Sequence, residues 1–134
     1  MSKENVEMIR GLYAAFAKGD VPTVLGKLDS NIVWNEADSS PYADGNPYIG
    51  PDRIAQGVFT RLGSDWESFS VVPEEALDAG ETVVILGNYN GTFKKNGNEL
   101  NAQFAHVWRV KNGKVTGFQQ YTDTAQYQSV TDQD

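Results

Sequence analysis

Apolar residues in the first third of the chain recur with the period of an α-helix. Over Val6–Phe16 they are spaced by three and four positions, which predicts a helix with one buried face. Ser2 is expected to cap this helix and Gly19 to end it. A second, shorter helix is predicted to follow Asp20, and a third is predicted over residues 50–63.

From residue 66 onward the period of the apolar residues changes to two, which predicts β-strands. Asn96-Gly97 and Asn112-Gly113 are tight-turn signals that join antiparallel neighbours. The strands are predicted around Phe69–Val71 and over Thr82–Lys94, Leu100–Val110 and Val115–Thr124, after an earlier short run at Ile32–Trp34. The polar tail after Gln126 is expected to fray. Helices followed by an antiparallel sheet indicate an α+β domain.

Both faces of the predicted sheet carry apolar residues. In the strand over Leu100–Val110 one face holds Phe104 and Trp108. The other face still includes Ala105 and Val107, where a sheet with a solvated back would carry polar residues. Either another part of the chain or a second copy covers the outer face, and since the chain has few helices available, we expect a homodimer through this face.

Composition and charge exclude several classes of protein. The 134 residues include no Cys and one His, and 18 acidic against 11 basic side chains give a net charge of −7. This charge argues against nucleic acid as a partner, and the lack of Cys excludes disulfides and zinc–cysteine sites. The longest apolar run, Leu12–Ala17, is far shorter than the ~20 residues that cross a bilayer, and no signal peptide is visible. We expect a single cytoplasmic domain over residues 1–134 that binds no membrane.

Short motifs spread over residues 4–126 resemble one known family. They are Ala17-Lys18-Gly19-Asp20, Val33-Trp34-Asn35-Glu36, Tyr48-Ile49-Gly50-Pro51, Phe104–Val110, Asn112–Val115 and Phe118–Asp123. Their order and spacing resemble the SnoaL-like, ketosteroid-isomerase-related branch of the nuclear transport factor two superfamily. The resemblance implies a cone-shaped barrel, in which a strongly curved, mainly antiparallel sheet packs on three N-terminal helices around a central apolar pocket. Family members commonly pair through the outer face of the sheet, in agreement with the apolar pattern.

The resemblance also implies roles for residues in that pocket. His106 stands where the isomerases carry the buried acid of their oxyanion hole, and an imidazole can donate a hydrogen bond or shuttle a proton there. The position of the isomerase base falls on Asn35, which cannot accept a proton. Glu36 or Asp38 is therefore the candidate base, and a β-bulge could turn either of them inward.

Two further positions depart from the family pattern. The phenolic donor of the isomerases aligns with Leu12, one position from Tyr13, and a carboxylate of epoxide-hydrolase-type relatives aligns with Gln120. The candidate substrate-binding residues are Tyr13, Trp34, Asn35, Tyr42, Tyr48, Phe59, Tyr89, Phe104, Trp108 and Gln120. Two of these tyrosines lie in the 13-residue stretch 37–49, and loops of that length often bind ligands.

These expectations favour a cofactor-independent enzyme that moves a proton next to a carbonyl of a small apolar or polycyclic compound, as an isomerase, cyclase or lyase. In that scheme His106 stabilises or protonates the oxygen, and Glu36 or Asp38 moves the proton. No cofactor and no metal are expected, because the sequence has no glycine-rich phosphate loop and too few His and Cys for a zinc site. The alternative is a non-catalytic module that binds a small apolar or aromatic ligand in the same pocket. A third hypothesis is a protein-interaction domain.

Overall fold

A six-stranded sheet and five α-helices form the fold in the computed structural model, which describes residues 2–132. The helices are α1 (Lys3–Ala17), α2 (Val21–Gly26), α3 (Pro51–Ile54), α4 (Thr60–Asp65) and α5 (Thr124–Thr131). A 3-10 turn covers Pro41–Gly45, and a π-helical segment over Ala55–Phe59 joins α3 to α4. The strands are β1 (Leu28–Asn35), β2 (Tyr48–Ile49), β3 (Trp66–Ala79), β4 (Thr82–Phe93), β5 (Glu99–Lys111) and β6 (Lys114–Thr122).

The strands lie in the order β2-β1-β6-β5-β4-β3. Strand β1 runs parallel to β6, and each of the other neighbouring pairs is antiparallel. The parallel pair attaches the early strand β1 to the meander of β3 to β6, so side chains from both ends of the chain share one face of the sheet. A mainly antiparallel sheet, with helices α1 to α4 preceding the meander of β3 to β6 in the sequence, confirms the predicted α+β class.

Helix α1 lies against β3 and β4. The Ser2 hydroxyl caps it by accepting a backbone N–H of the first turn at 3.1 Å, as the sequence predicts. Gly19 follows the helix with φ +75°, a conformation that glycine adopts without strain. The buried side of α1 includes Ile9, Leu12 and Tyr13, and this brings a phenol into the interior.

The third predicted helix is longer than expected. The stretch from Pro51 to Asp65 is helical throughout and passes Gly63, which was expected to end it. It ends instead where Trp66 adopts an extended backbone, with φ −112° and ψ 136°, and begins β3. The π-helical segment in its middle has one extra residue in the turn, which changes the faces that its side chains present.

The prediction that the tail after Gln126 frays is wrong as far as Thr131, whereas residues 133 and 134 lie outside the described residues. Helix α5 spans Thr124–Thr131, and the Asp123 side chain caps it by accepting the backbone N–H of Gln126 at 3.1 Å. Tyr127 and Val130, three positions apart, are buried, and the residues around them are polar. One cap and two apolar contacts thus attach this segment to the domain.

The core lies between the helices and the inner face of the sheet. Its largest fully buried side chains include Ile9 on α1, Ile32 on β1 and Ile85 on β4. Trp34 also points inward and stacks on Phe118 with a distance of 3.8 Å between the ring centroids. No helix within residues 2–132 is long and apolar enough to span a membrane.

Candidate functional site

A cavity of about 70 Å³ lies between α1, the π-helical segment and the inner face of the sheet. Aliphatic and aromatic side chains form most of its wall. The groups able to form hydrogen bonds are the carboxyl of Glu36, the imidazole of His106, the amide of Gln120, two indoles and the phenols of three tyrosines. Across residues 2–132 no three His, Asp or Glu side chains come together in a way that could hold a metal ion.

His106 lies in the middle of β5, where its register partners are Ile85 on β4 and Gln120 on β6. Both of its ring nitrogens contact phenols. The Tyr13 hydroxyl lies 2.6 Å from Nδ1, and the Tyr89 hydroxyl bonds Nε2. The ring is 4 % exposed, and burial lowers the pKa of His106 from 6.5 to about 3. The imidazole is therefore neutral at physiological pH.

Each of these two phenol oxygens also takes part in a hydrogen bond whose direction is fixed, because its partner can only donate. The Trp108 indole donates from Nε1 to the Tyr13 oxygen at 2.8 Å. The Gln120 amide donates from Nε2 to the Tyr89 oxygen at 2.8 Å. Its orientation is unambiguous, because Oε1 of the same amide accepts the backbone N–H of Ala37 at 3.0 Å. Trp108, Tyr13, His106, Tyr89 and Gln120 thus form one continuous chain of hydrogen bonds.

Glu36 follows the last residue of β1 and faces inward. It lies two positions after Trp34, so ordinary strand alternation puts both side chains on the same face without a bulge. The side chain of Asn46 fixes the backbone there, since it accepts the Glu36 N–H at 3.0 Å and donates to the Glu36 carbonyl at 2.8 Å.

The carboxyl of Glu36 is 5 % exposed and has one hydrogen-bond donor, the Trp34 indole, 2.9 Å from Oε2. None of the described residues donates to Oε1. Every fully enclosed polar side-chain atom in residues 2–132 has a partner, so Oε1 borders the cavity space. Burial raises the pKa of Glu36 from 4.5 to about 7, despite the opposing effects of the Trp34 bond and the Arg61 charge.

The structure brings most of the sequence-predicted residues to this cavity. Those that line it are Glu36 and His106 of the candidate catalytic residues, and Tyr13, Trp34, Phe59, Tyr89, Trp108 and Gln120 of the candidate binding residues. Phe104 lies behind the wall, where its ring stacks on His106 at 3.9 Å. Asp38 is exposed and outside the cavity, and Asn35 points to the opposite face of β1 from Trp34.

Tyr42 and Tyr48 also lie outside the cavity wall, within the 37–49 segment. The Tyr42 hydroxyl donates to Asp65 and accepts from Trp66, both at 2.9 Å. The Tyr48 hydroxyl donates to the carbonyl of Tyr42 at 2.7 Å. These bonds hold the segment against β3 and the helix before it, which is a structural role for both phenols.

Tyr127 of α5 is a cavity residue that the sequence analysis missed. It is 2 % exposed and lines the cavity, and its hydroxyl bonds none of the described residues. Since no enclosed polar atom there lacks a partner, this hydroxyl also borders open space. Burial raises the pKa of Tyr127, and the nearby Glu36 and Tyr89 raise it further. The Asp123 cap followed by apolar Tyr127 and Val130 is the signal that could have identified this helix.

Comparison with known proteins gives a consistent result. The family model described as SnoaL-like domain matches residues 9–118. An NTF2-like protein from Burkholderia thailandensis E264 is 32% identical, covers 96% of this chain and 97% of its own, and superposes with a TM-score of 0.90. An NTF2-like protein of unknown function from Burkholderia pseudomallei K96243 is 30% identical, with coverages of 99% and 100% and a TM-score of 0.88.

A more distant structure shares the fold. It is a hypothetical protein with a ketosteroid isomerase-like fold from Catenulispora acidiphila DSM 44928, solved in complex with trimethylamine. It is 18% identical, covers 98% of this chain and 94% of its own, and has a TM-score of 0.78. No curated protein matches the chain.

Proposed function

The chain belongs to the SnoaL-like domain family, and on that premise we propose that it is a cofactor-independent enzyme of the ketosteroid-isomerase or polyketide-cyclase type. Its substrate is a small apolar or aromatic carbonyl compound. The reaction is the transfer of a proton to or from the carbon next to that carbonyl. Glu36 moves the proton, and the phenols around His106 stabilise the carbonyl oxygen.

One observation carries this proposal: a buried carboxyl with an unbonded oxygen faces an apolar cavity. A general base works best when its pKa lies near the working pH, and burial raises the pKa of Glu36 to about 7. At that pH a substantial fraction of Glu36 is ionised and able to accept a proton. The indole of Trp34 holds the other oxygen and so aims the carboxyl.

The proton transfer balances without a cofactor. The Glu36 carboxylate takes a proton from the α-carbon, the C–H electron pair forms the new C=C bond, and the carbonyl π electrons move to oxygen. A hydroxyl donor stabilises the enolate oxygen, as hydrogen-bond donors do for developing oxyanions. The protonated Glu36 then returns the proton to the same or another carbon. His106 acts on the oxygen through Tyr13 and Tyr89, because both of its nitrogens already bond them.

Two features support a small ligand with an aromatic or apolar body. The cavity is walled by rings such as Trp34, Trp108 and Phe118, which pack against one another edge-on or stacked. The protein of the same fold from Catenulispora acidiphila was solved in complex with a small molecule, trimethylamine, which supports a small-molecule pocket in this chain as well.

Exchange of α-hydrogens in D₂O tests the proposal. Cyclohexanone, acetophenone and 1-tetralone are incubated with the wild type, and loss of the α-proton signals is followed by NMR. We expect Glu36→Gln to slow the exchange by about 10²–10⁴-fold, the usual contribution of general acid–base catalysis. The matched control is Asp38→Asn, which changes a nearby exposed carboxyl outside the cavity and should leave the exchange rate unaltered.

The same experiment separates the enzyme from a binding module. A wild type that binds these ketones without accelerating their exchange is a non-catalytic ligand-binding protein, and the proposed activity is then overturned. Loss of exchange in Asp38→Asn with full activity in Glu36→Gln would instead assign the base to Asp38.

The assembly is a second part of the proposal: the chain forms a homodimer through the outer face of the sheet. Val84 and Val107 are register partners, and Leu77 pairs with Val84 on the other side. Ala105 pairs with Leu86 and with Tyr121 one row away. We call these six residues the outer-face patch. Leu77 is 42 % and Tyr121 is 58 % exposed in the single chain, which leaves apolar surface for a second copy to cover.

A further inference from the structure

His106, Tyr13 and Tyr89 together carry one more donor proton than the two hydrogen bonds between them require. The two contacts, Tyr13 to Nδ1 and Nε2 to Tyr89, need one proton each. A neutral imidazole supplies one N–H and each phenol supplies one O–H, three protons in all. The third proton is not used in the bonds to Trp108 or Gln120, because in those bonds the phenol oxygens are acceptors: Trp108 donates to Tyr13 and Gln120 donates to Tyr89.

We propose that the surplus O–H proton points into the cavity as a donor to the ligand, and that the tautomer of His106 decides whether it belongs to Tyr13 or to Tyr89. With the proton on Nδ1, the imidazole donates to Tyr13 and accepts from Tyr89, so the Tyr13 proton is free. With the proton on Nε2 the roles exchange, and the Tyr89 proton is free. His106 is thus a positioning residue that selects the donor.

Geometry around the ring requires the neutral form on which this count depends. The ring partners of His106 are two phenols and no carboxylate, and its face packs on Phe104 at 3.9 Å. Glu36 lines the same cavity, but it does not bond His106. A buried imidazolium would have no counter-charge in contact, which is strongly unfavourable in an apolar interior.

The two donor positions lie on different elements of the cavity wall, Tyr13 on α1 and Tyr89 on β4. Tyr89 is tied through Gln120 to Ala37, the residue after Glu36, whereas Tyr13 is tied to Trp108. The selected phenol therefore sets where an acceptor oxygen sits relative to Glu36. This deepens the proposed function: the ligand accepts one hydrogen bond from this pair through a single carbonyl oxygen, and two orientations of that ligand are available in one cavity.

Nitrogen-15 NMR tests the tautomer directly, because His106 is the single His of the chain. The shifts of Nδ1 and Nε2 show which nitrogen carries the proton. Tyr13→Phe leaves Nδ1 without a partner, and an unpaired acceptor is tolerated better than an unpaired N–H, so the proton should move to Nε2. Tyr89→Phe should place it on Nδ1 for the same reason.

The matched control is Tyr127→Phe, which removes a cavity hydroxyl that bonds neither nitrogen and should leave the wild-type shifts. An imidazolium in the wild type at neutral pH, or the same tautomer in both phenol variants, overturns the proposal. If a variant does not fold, the wild-type spectrum alone still shows whether His106 is an imidazolium.

Acetophenone binding tests the ligand-facing role. Each single variant keeps one free phenol proton, so its Kd should stay within about threefold of the wild type. The double variant Tyr13→Phe/Tyr89→Phe keeps no phenol proton, and the remaining imidazole N–H lies farther from the ligand than the removed hydroxyls, so the double variant should bind about tenfold more weakly, the value of one hydrogen bond. If a single variant loses as much affinity for acetophenone as the double variant, the proposed selection of the donor phenol by the His106 tautomer is overturned. If the wild type does not bind acetophenone, the claim that a phenol donates to the ligand is overturned together with the proposed function. The nitrogen shifts test the His106 tautomer separately, because they need no ligand.

Discussion

Burial acts on two ionisable residues of the cavity in opposite directions. It raises the pKa of Glu36 to about 7 and lowers the pKa of His106 to about 3, because an apolar surrounding disfavours the charged form of each group. Glu36 can therefore exchange a proton near neutral pH, whereas His106 keeps its single N–H over the whole physiological range. These opposite shifts fit the roles proposed above, in which Glu36 moves a proton and His106 positions one.

These shifts make the stability of the protein depend on pH. Since the folded state binds the Glu36 proton more tightly than the unfolded state does, the free energy of unfolding falls as the pH rises from about 4.5 to about 7. The lowered pKa of His106 has the opposite sign, so its contribution is present above pH 6.5 and is lost as the pH falls towards about 3.

Glu36→Gln should remove the first of these dependences. Relative to the wild type, we expect its free energy of unfolding to increase by about 3 kcal/mol between about pH 5 and about pH 8, as measured by urea denaturation. Asp38→Asn, at an exposed carboxyl, should follow the wild-type curve. Parallel curves for wild type and Glu36→Gln would show that the Glu36 carboxyl is not shifted.

At the scale of elements, the helical stretch from Pro51 to Asp65 gives two glycines very different surroundings. A Cβ on Gly57, in the π-helical segment, would overlap the ring of Tyr48, which its own hydroxyl holds to the Tyr42 carbonyl at 2.7 Å. A Cβ on Gly63, in α4, would meet nothing within 4 Å. The π-helical segment thus packs closely on β2 at the place where Val58 and Phe59 line the cavity.

Gly57→Ala should destabilise the protein by about 1–3 kcal/mol, since Tyr48 cannot move without breaking its hydrogen bond. Gly63→Ala, the matched control in the same helical stretch, should stabilise it by up to about 1 kcal/mol through the helix propensity of alanine. Chemical denaturation of both variants measures the two changes. Equal effects at the two positions would contradict the close packing of Gly57 on Tyr48.

Periodicity predicts most of the elements because each strand or helix repeats its pattern over many residues. The four strands after residue 66 have alternating apolar positions, and α1 has a complete apolar stripe. Helix α5 was missed because it shows only two apolar contacts in a polar tail. The alternation with Trp34 places Glu36 on the inner face without the β-bulge that the sequence analysis invokes for it.

The hydrogen-bond chain could not be read from the sequence. Tyr13 and His106 are 93 positions apart, and Tyr13 and Trp108 are 95 apart. Their contact depends on how α1 crosses the sheet, and no local pattern records that crossing. For the same reason the sequence predicts ligand contacts for Tyr42 and Tyr48, although the Tyr42 hydroxyl bonds Asp65 and Trp66 and the Tyr48 hydroxyl bonds within the 37–49 segment.

At the scale of the whole molecule, the sheet separates the cavity from the outer face through which we propose that two copies pair. Residues of β5 alternate between them: His106 and Trp108 face the cavity, and Ala105 and Val107 belong to the outer-face patch. A change on the outer face can therefore disturb pairing without touching a cavity side chain.

Sedimentation equilibrium tests the dimer. The wild type should show a mass near twice 14.7 kDa at micromolar concentration. Val107→Glu places a charge in the centre of the outer-face patch and should shift the protein towards the monomer, because the charge would be buried without a partner. Ala14→Glu adds the same charge on the exposed side of α1 and should leave the mass unchanged. A wild type that sediments as a monomer contradicts the proposed assembly.

The hydrogen bond between the Trp34 indole and Glu36 has an optical consequence. Trp34 is a chromophore held 2.9 Å from the one carboxyl that is buried within the described part of the chain. An indole changes its emission when a charge appears beside it, so light from Trp34 carries information about the ionisation of Glu36. One of the three tryptophans is thus placed by the fold beside the Glu36 carboxyl, and no added dye is needed to follow the ionisation of that group.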